Sequence, residues 1–287
     1  MVRKRKTIVG IKGSDAVARA IARFKKLPYV SVTVSKYRAG EAVARTSKRV
    51  SGPCVLVRDI EANPVSIWEV LMAEDALKNA GAKSITLLAP WMAYGRQDRI
   101  ARSLESIGGK VLADELSSFR RIITVDAHSP MFIKRFKGRL KSIPSTSLIV
   151  PFALRYNATL IASPDAGGFN RAFILARHMH LPLSRCDKKR IKPGLLGVRI
   201  VCDPKHVKGA RVLLIDDMVD SGGTLREATR NLKKLGARSV SAVVTHVADP
   251  NQKPSARELG LSYLMALYPR NGKVSEDFIK LLSDAIR

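Results

Sequence analysis

Short runs of β-branched and aliphatic residues alternate along the chain with amphipathic stretches, the pattern of an α/β protein whose strands are mainly parallel. Eight runs are read as strands: YVSVTVS (29–35), CVLVRD (54–59), SITLLAP (84–90), RIITVD (121–126), TLIASPD (159–165), RVLLIDD (211–217), SVSAVVTH (239–246) and LSYLMAL (261–267), with helical patterns between most of them. The opening, MVRKRKTIVGIKGSDAVARAIARFKK, is basic enough for a targeting peptide but lacks the apolar centre of a secretory signal. From Ser14 onward it predicts a helix: Ser14 is the candidate N-cap, Asp15 suits the first turn, and Val17, Ile21 and Phe24 share one face. No apolar run approaches the roughly 20 residues that span a bilayer, so no membrane segment is expected.

Two helix-to-strand passages are nearly the same text. LKNAGAKSITLLAP from Leu77 and LKKLGARSVSAVVTH from Leu232 align at a constant offset of 155, with Gly81 and Gly236 at the left-handed position that ends each helix. CVLVRD precedes the first passage much as RVLLIDD precedes the second. The chain therefore reads as two copies of one α/β domain, 1–146 and 147–287, joined near residues 140–150 where KSIPSTS breaks the pattern. Only the second copy carries Ser-Gly-Gly-Thr after its acidic strand end; the first reads IEANPVS there.

The composition agrees with two cores, since 46% of 287 residues are hydrophobic. Charge adds something new: 51 Lys and Arg against 24 Asp and Glu give a formal net charge of +27, an attraction for polyanions and phosphorylated small molecules. The cations are spread thinly apart from VRKRK and KKRIK, and no nucleic-acid motif or aromatic stacking pattern accompanies them, so RNA or DNA binding is not the expected role. Cys54, Cys186 and Cys202 lack CxxC spacing and sit in or beside apolar segments, which reads as three reduced thiols in a cytoplasmic protein.

The candidate chemistry centres on LLIDDMVDSGGTL, 213–225. The strand is expected to end near Asp216 and a helix to begin near Thr224. Gly222 and Gly223 would then turn backbone N–H groups inward at a helix N-terminus, and Ser221 and Thr224 would add hydroxyl donors: an anion cradle. Asp216 and Asp217 would repel a phosphate at contact distance. They suit the vicinal hydroxyls of a sugar or a metal bound to them, so the loop with Asp220 reads as a sugar-phosphate site.

DDMVDSGGT resembles the phosphoribosyl-pyrophosphate loop of the type I phosphoribosyltransferase fold. That fold hosts transferases, synthetases and regulators, so the other motifs decide between them. APWMAYGRQDRI (89–100) resembles the Tyr-x-Arg-Gln-Asp-Arg stretch of ribose-phosphate pyrophosphokinases, TVDAHSP their Val-Asp-Leu-His motif, SPDAGG followed by Arg171 their Ser-Pro-Asp-x-Gly-Gly segment, and CDKKRIK their Asp-Lys-Arg-Arg loop root. The resemblance covers roughly residues 30–285.

It implies transfer of pyrophosphate from ATP to the anomeric hydroxyl of ribose 5-phosphate. Arg96, Gln97, Asp98 and Arg99 would bind nucleotide, His128 and Asp165 would hold magnesium, His128 would also contact nucleotide phosphate, and Lys188 and Arg190 would neutralise transition-state charge. YRAGE stands where the family has Phe-Ser-Asp-Gly-Glu, a segment that contacts adenine from a neighbouring subunit: Tyr37 and Glu41 keep that role, whereas Ala39 removes an acceptor and puts nucleotide choice in doubt. A homo-oligomer, at least a dimer, is implied. The competing reading is a catalytically weak paralogue acting as a regulatory or RNA-binding subunit, favoured by Ala39, by VSIW at 65–68 and by the charge.

Overall fold

The computed structural model describes residues 5–12, 15–190 and 198–286, the side chains of 188–190 and 198–199 excepted. The chain divides into two units, Met1–Ile143 with Glu276–Arg287, and Pro144–Ser275.

In unit 1 the elements run β1 (Thr7–Ile11), α1 (Ala16–Lys25), β2 (Tyr29–Lys36), β3 (Ala42–Thr46), β4 (Pro53–Val57), α2 (Pro64–Asn79), β5 (Ser84–Leu88), α3 (Gly108–Glu115), β6 (Arg121–Val125), α4 (Pro130–Arg135) and β7 (Leu140–Ile143). They build one sheet in the order β3-β2-β1-β4-β5-β6-β7, parallel except for the β2–β3 edge hairpin. Unit 2 runs α5 (Thr146–Arg155), β8 (Leu160–Ser163), α6 (Phe169–Met179), β9 (Leu183–Arg190), β10 (Val198–Cys202), β11 (Arg211–Val219), α7 (Gly223–Lys234), β12 (Ser239–Val247) and β13 (Tyr263–Tyr268). Its six-stranded sheet, β10-β9-β8-β11-β12-β13, repeats the order of the first six strands of unit 1, antiparallel edge hairpin included, and lacks a counterpart of β7.

The repeated text marks the repeated joint. α2 starts on Pro64 with the Asn63 side chain accepting from Ser66 N at 2.9 Å, and its exit turns at Gly81, φ +101°. α7 leaves through Gly236, φ +87°. These are the left-handed positions that the two Leu-Lys-x-x-Gly-Ala passages predict. α7 buries Leu225, Ala228 and Leu232 at spacings of three and four on the unit 2 core, and burying each leucine contributes about 1.5–3 kcal/mol.

Three sequence expectations change. The buried face of α1 is Ala18, Ile21 and Ala22, and Phe24 is 48% exposed, because α1 lies on the sheet through its small residues. Ser14 lies outside the described residues; Asp15 occupies the N-cap position without capping through its side chain, which instead accepts from Tyr29 Oη and Arg19 Nε. The last helix, α8 (Glu276–Ala285), belongs to unit 1 and not to the second half as its position in the chain implied. It packs along α1, with Lys25 Nζ 3.6 Å from Asp284 Oδ1 and with Arg121 and Lys6 donating to the carbonyls of Ala285 and Ile286.

The three reduced thiols are also corrected. Cys186 and Cys202 stand directly opposite one another in the β9–β10 register and form a disulfide, which leaves Cys54 as a buried thiol. Burial in apolar surroundings pushes the Cys54 pKa up to about 11. Among the described residues no helix is long and apolar enough to cross a membrane.

Candidate active site

In unit 2, β11 lies between β8 and β12 at the centre of the sheet and runs on to Val219, three residues further than the sequence implied. Asp216 and Asp217 are therefore strand residues with little exposure, 9% and 3%. Asp216 Oδ1 accepts from Asp217 N at 2.9 Å. Burial, followed by the charges of Asp217 and Asp165, raises the Asp216 pKa well above the ordinary carboxylate value, and Arg171 opposes the rise. Arg171, projecting from α6, places Nη1 3.7 Å from Asp217 Oδ1. Asp165, Asp216 and Asp217 thus crowd their carboxyl groups at this point, with the Arg171 guanidinium beside Asp217.

Beyond Val219 the chain turns through Asp220 and Ser221, both exposed, into α7. The N-cap is Gly222, in left-handed conformation (φ +74°), so the cap residue itself has no side chain to offer the helix. The first turn of α7 follows directly on the turn that carries the acids, the placement an anion cradle requires. Gly222 and Gly223 differ. A Cβ on Gly222 would stand 2.5 Å from Leu259 Cδ2, whereas one on Gly223 meets nothing nearer than Ser221 Oγ at 3.9 Å.

The SPDAGG turn sits beside this strand. Asp165 Oδ1 accepts from Gly167 N and Gly168 N at 2.9 and 3.2 Å. Gly168 approaches β11 so closely that a Cβ would lie 3.1 Å from Ile215 O and 3.3 Å from Asp216 Oδ1. This glycine brings Asp165 up to the paired aspartates, a role the sequence reading did not assign. Spacing alone does not signal it, because the contact is between two segments about fifty residues apart.

Unit 1 holds the other group of predicted residues. The chain leaves β5, forms an isolated parallel bridge between Ile60 and Met92, and is pinned where Trp91 N donates to Asp59 Oδ1 at 2.9 Å. Trp91 and Met92 are buried packing residues. The following turn exposes Arg96, Gln97 and Arg99 and directs Asp98 inward, to 14% side-chain exposure. Gly108 and Gly109, at the start of α3, back this turn: Gly109 N donates to Gln97 O at 2.9 Å, and a Cβ on Gly108 would collide with Gln97 Oε1. His128 follows β6 and is half-buried, close enough to Gly95 that a Cβ there would stand 3.0 Å from His128 Cβ. Hence the structure brings Arg96, Gln97 and Asp98 together with His128 in unit 1.

Tyr37 and Glu41 bound the tip of the β2–β3 hairpin, where Tyr37 N donates to Glu41 O at 2.8 Å and the Tyr37 ring is 54% exposed. Together with Trp68 and Met72 of α2 they line a hollow of about 740 Å³. The side chains of Lys188 and Arg190 lie outside the described residues; their backbone belongs to β9.

Comparison with known proteins follows the same division. Residues 6–119 match the N-terminal domain of ribose phosphate pyrophosphokinase, and residues 149–261 match the phosphoribosyl transferase domain. The ribose-phosphate pyrophosphokinase of Oceanobacillus iheyensis is 35% identical over 245 residues, covering 83% of this chain and 77% of that protein. That of Pyrococcus furiosus is 31% identical over 224 residues, 77% and 80% of the two chains. The crystal structure of phosphoribosylpyrophosphate synthetase from Mycobacterium smegmatis superposes with a TM-score of 0.82 at 25% identity, over 99% of this chain and 98% of that one. With both family models matched in order and a relative 35% identical over most of both chains, the chain belongs to the ribose-phosphate pyrophosphokinase family.

Proposed function

We propose that the enzyme transfers the β,γ-pyrophosphoryl group of ATP to the anomeric hydroxyl of ribose 5-phosphate. The observation that carries this reading is the adjacency, within unit 2, of the glycine-led N-terminus of α7 to the two acids buried on the strand before it. The turn of Ser221, Gly222, Gly223 and Thr224 receives the 5-phosphate, and Asp216, Asp217 and Asp220 accept from the ribose hydroxyls. Two neighbouring carboxylates accept hydrogen bonds from a vicinal diol, and a diol removes the repulsion that a second phosphate would meet there.

In unit 1, Arg96, Gln97 and Arg99 contact the nucleotide with His128. The anomeric oxygen attacks the β-phosphorus, the bond from that phosphorus to the oxygen bridging to the α-phosphate breaks, AMP leaves and the hydroxyl proton passes to solvent. The chain's own contribution is orientation and charge neutralisation, with Lys188 and Arg190 as the cations. Magnesium is the metal that the resemblance implies, and His128 in unit 1 and Asp165 in unit 2 are the residues that would serve as ligands. Among the described residues no three such side chains converge as a metal site, but carboxylate oxygens are the donors a hard divalent cation takes, and the ion would supply neutralisation of phosphate charge. Tyr37 and Glu41 on the exposed hairpin complete the nucleotide site of a second copy, so the enzyme works as a dimer or larger assembly.

The test follows purified protein with magnesium, ribose 5-phosphate and ATP, GTP or CTP in turn, detecting phosphoribosyl pyrophosphate and nucleoside monophosphate directly. Product that disappears in Lys188→Ala is expected, and acceptance of more than one nucleotide would trace to Ala39. No product with any nucleotide, from protein that binds ribose 5-phosphate, overturns the reading.

A further inference from the structure

Asp98 lies in the exposed Arg-Gln-Asp-Arg turn, yet its carboxylate faces away from solvent. Ser129 Oγ donates to Asp98 Oδ2 at 2.5 Å, and Arg135 Nη2 donates to the Asp98 carbonyl at 3.0 Å. Arg99 Nε, at 4.0 Å and on a side chain 84% exposed, contributes little to holding it. Ser129 directly follows His128 and is the N-cap of α4, accepting from Phe132 N at 3.0 Å. One hydroxyl therefore serves two elements at once: it accepts from the helix and donates to the turn.

A carboxylate turned toward a nucleoside triphosphate would oppose binding, so its inward direction has a chemical reason. Gly95 backs onto His128 with no room for a side chain between them. The turn and the His128 segment consequently share one anchor. We infer that Asp98 is not a nucleotide ligand but half of a tie, Asp98–Ser129 reinforced by Arg135, that sets Arg96 and Gln97 in register with His128. Ser129 is then a positioning residue for the nucleotide. The inference rests on the proposed nucleotide role of this turn, and the test separates the two.

Four single variants and one double variant are compared with wild type by steady-state kinetics in each substrate. Ser129→Thr keeps both hydrogen bonds. Ser129→Asp keeps an N-cap but opposes Asp98 with a like charge. Asp98→Asn weakens the tie and leaves the cap untouched. Arg96→Ala tests the turn itself. A charge-assisted hydrogen bond is worth about tenfold or more in an equilibrium, so KM for ATP should rise roughly tenfold in Ser129→Asp and Asp98→Asn. KM for ribose 5-phosphate should stay within about twofold of wild type, Ser129→Thr should behave as wild type, and the Ser129→Asp/Asp98→Asn double variant should recover part of the loss by removing the repulsion.

Unchanged KM for ATP in both tie variants, alongside a raised one in Arg96→Ala, overturns the tie while sparing the nucleotide turn. Unchanged KM in all four overturns the nucleotide turn itself. Equal rises for both substrates, with a lowered melting temperature, reduce Ser129 to a structural cap and also overturn the proposal.

Discussion

The adjacent glycines of the proposed sugar-phosphate turn offer a paired experiment, because the structure gives them opposite surroundings. At Gly222, alanine would have to adopt φ +74°, which costs an L-residue about 1–2 kcal/mol. Its Cβ would also stand 2.5 Å from Leu259 Cδ2 and 3.2 Å from Pro254 Cγ. Leu259 is 1% exposed and has nowhere to retreat, so overpacking adds about 1–3 kcal/mol. Gly222→Ala should therefore destabilise unit 2 by about 2–5 kcal/mol. Gly223 opens α7, is exposed and has open space around its Cβ position, so Gly223→Ala should leave stability within about 1 kcal/mol of wild type or raise it slightly. That same open space is where the proposed site puts the phosphate, and the added methyl should weaken ribose 5-phosphate binding at least tenfold. Trp68 and Trp91 both lie in unit 1, which makes tryptophan fluorescence the wrong probe. Hydrogen exchange of α7 and β12 amides reports unit 2 directly, and calorimetry reports ligand binding. A Gly222→Ala protein that loses less than about 1 kcal/mol, or a Gly223→Ala protein that binds sugar phosphate normally, refutes the division of roles.

The remaining predictions concern charge and covalent linkage. The Asp216 pKa is raised on folding, so its contribution to stability is complete below the ordinary value of 3.8 and is lost as pH climbs through the higher folded value. Asp216→Asn removes that slope: melting temperature should fall less between pH 4 and 7 than in wild type, while ribose 5-phosphate affinity drops, and parallel pH curves would contradict the burial argument. The Cys186–Cys202 bond, closing a loop of sequence separation 16, should stabilise unit 2 by about 3 kcal/mol. Thiol titration of protein denatured without reductant should find one reactive cysteine, Cys54; finding three would dispose of the linkage.

Long β-branched runs were legible without any structure, since strands at the centre of a covered sheet are apolar almost throughout; β5, β6, β11 and β12 are of this kind. The strands that escaped are short or lie near basic text. β1 is a five-residue run behind a cationic lead, although it is central in its sheet. The β9–β10 hairpin carries Arg185, Asp187 and the lysines after it, and an edge strand of mixed charge has too little apolar period to reveal itself. The disulfide was hidden for the same reason, because only the antiparallel register sets Cys186 opposite Cys202. The local structure of a candidate site was readable where it resided in one turn, as in 216–224, which forms the strand end, turn and helix start that the text implied. What depended on contacts between distant segments was not: the inward aim of Asp98, the backing of Gln97 by Gly108, and the approach of Gly168 to β11.

The placement of α8 alongside α1 has a consequence for synthesis. The ribosome makes the rest of unit 1 first, then all of unit 2, and only then the helix that covers α1. At ordinary elongation rates of roughly 5–20 residues per second, the nascent unit 1 waits about 7 to 26 seconds with that flank bare. Unit 2, continuous in the chain, has no such wait, so the half translated second can be the half completed first. The Lys25–Asp284 contact then marks the closing event of assembly, and slowed translation through unit 2 lengthens the interval in which a bare α1 can meet another nascent chain.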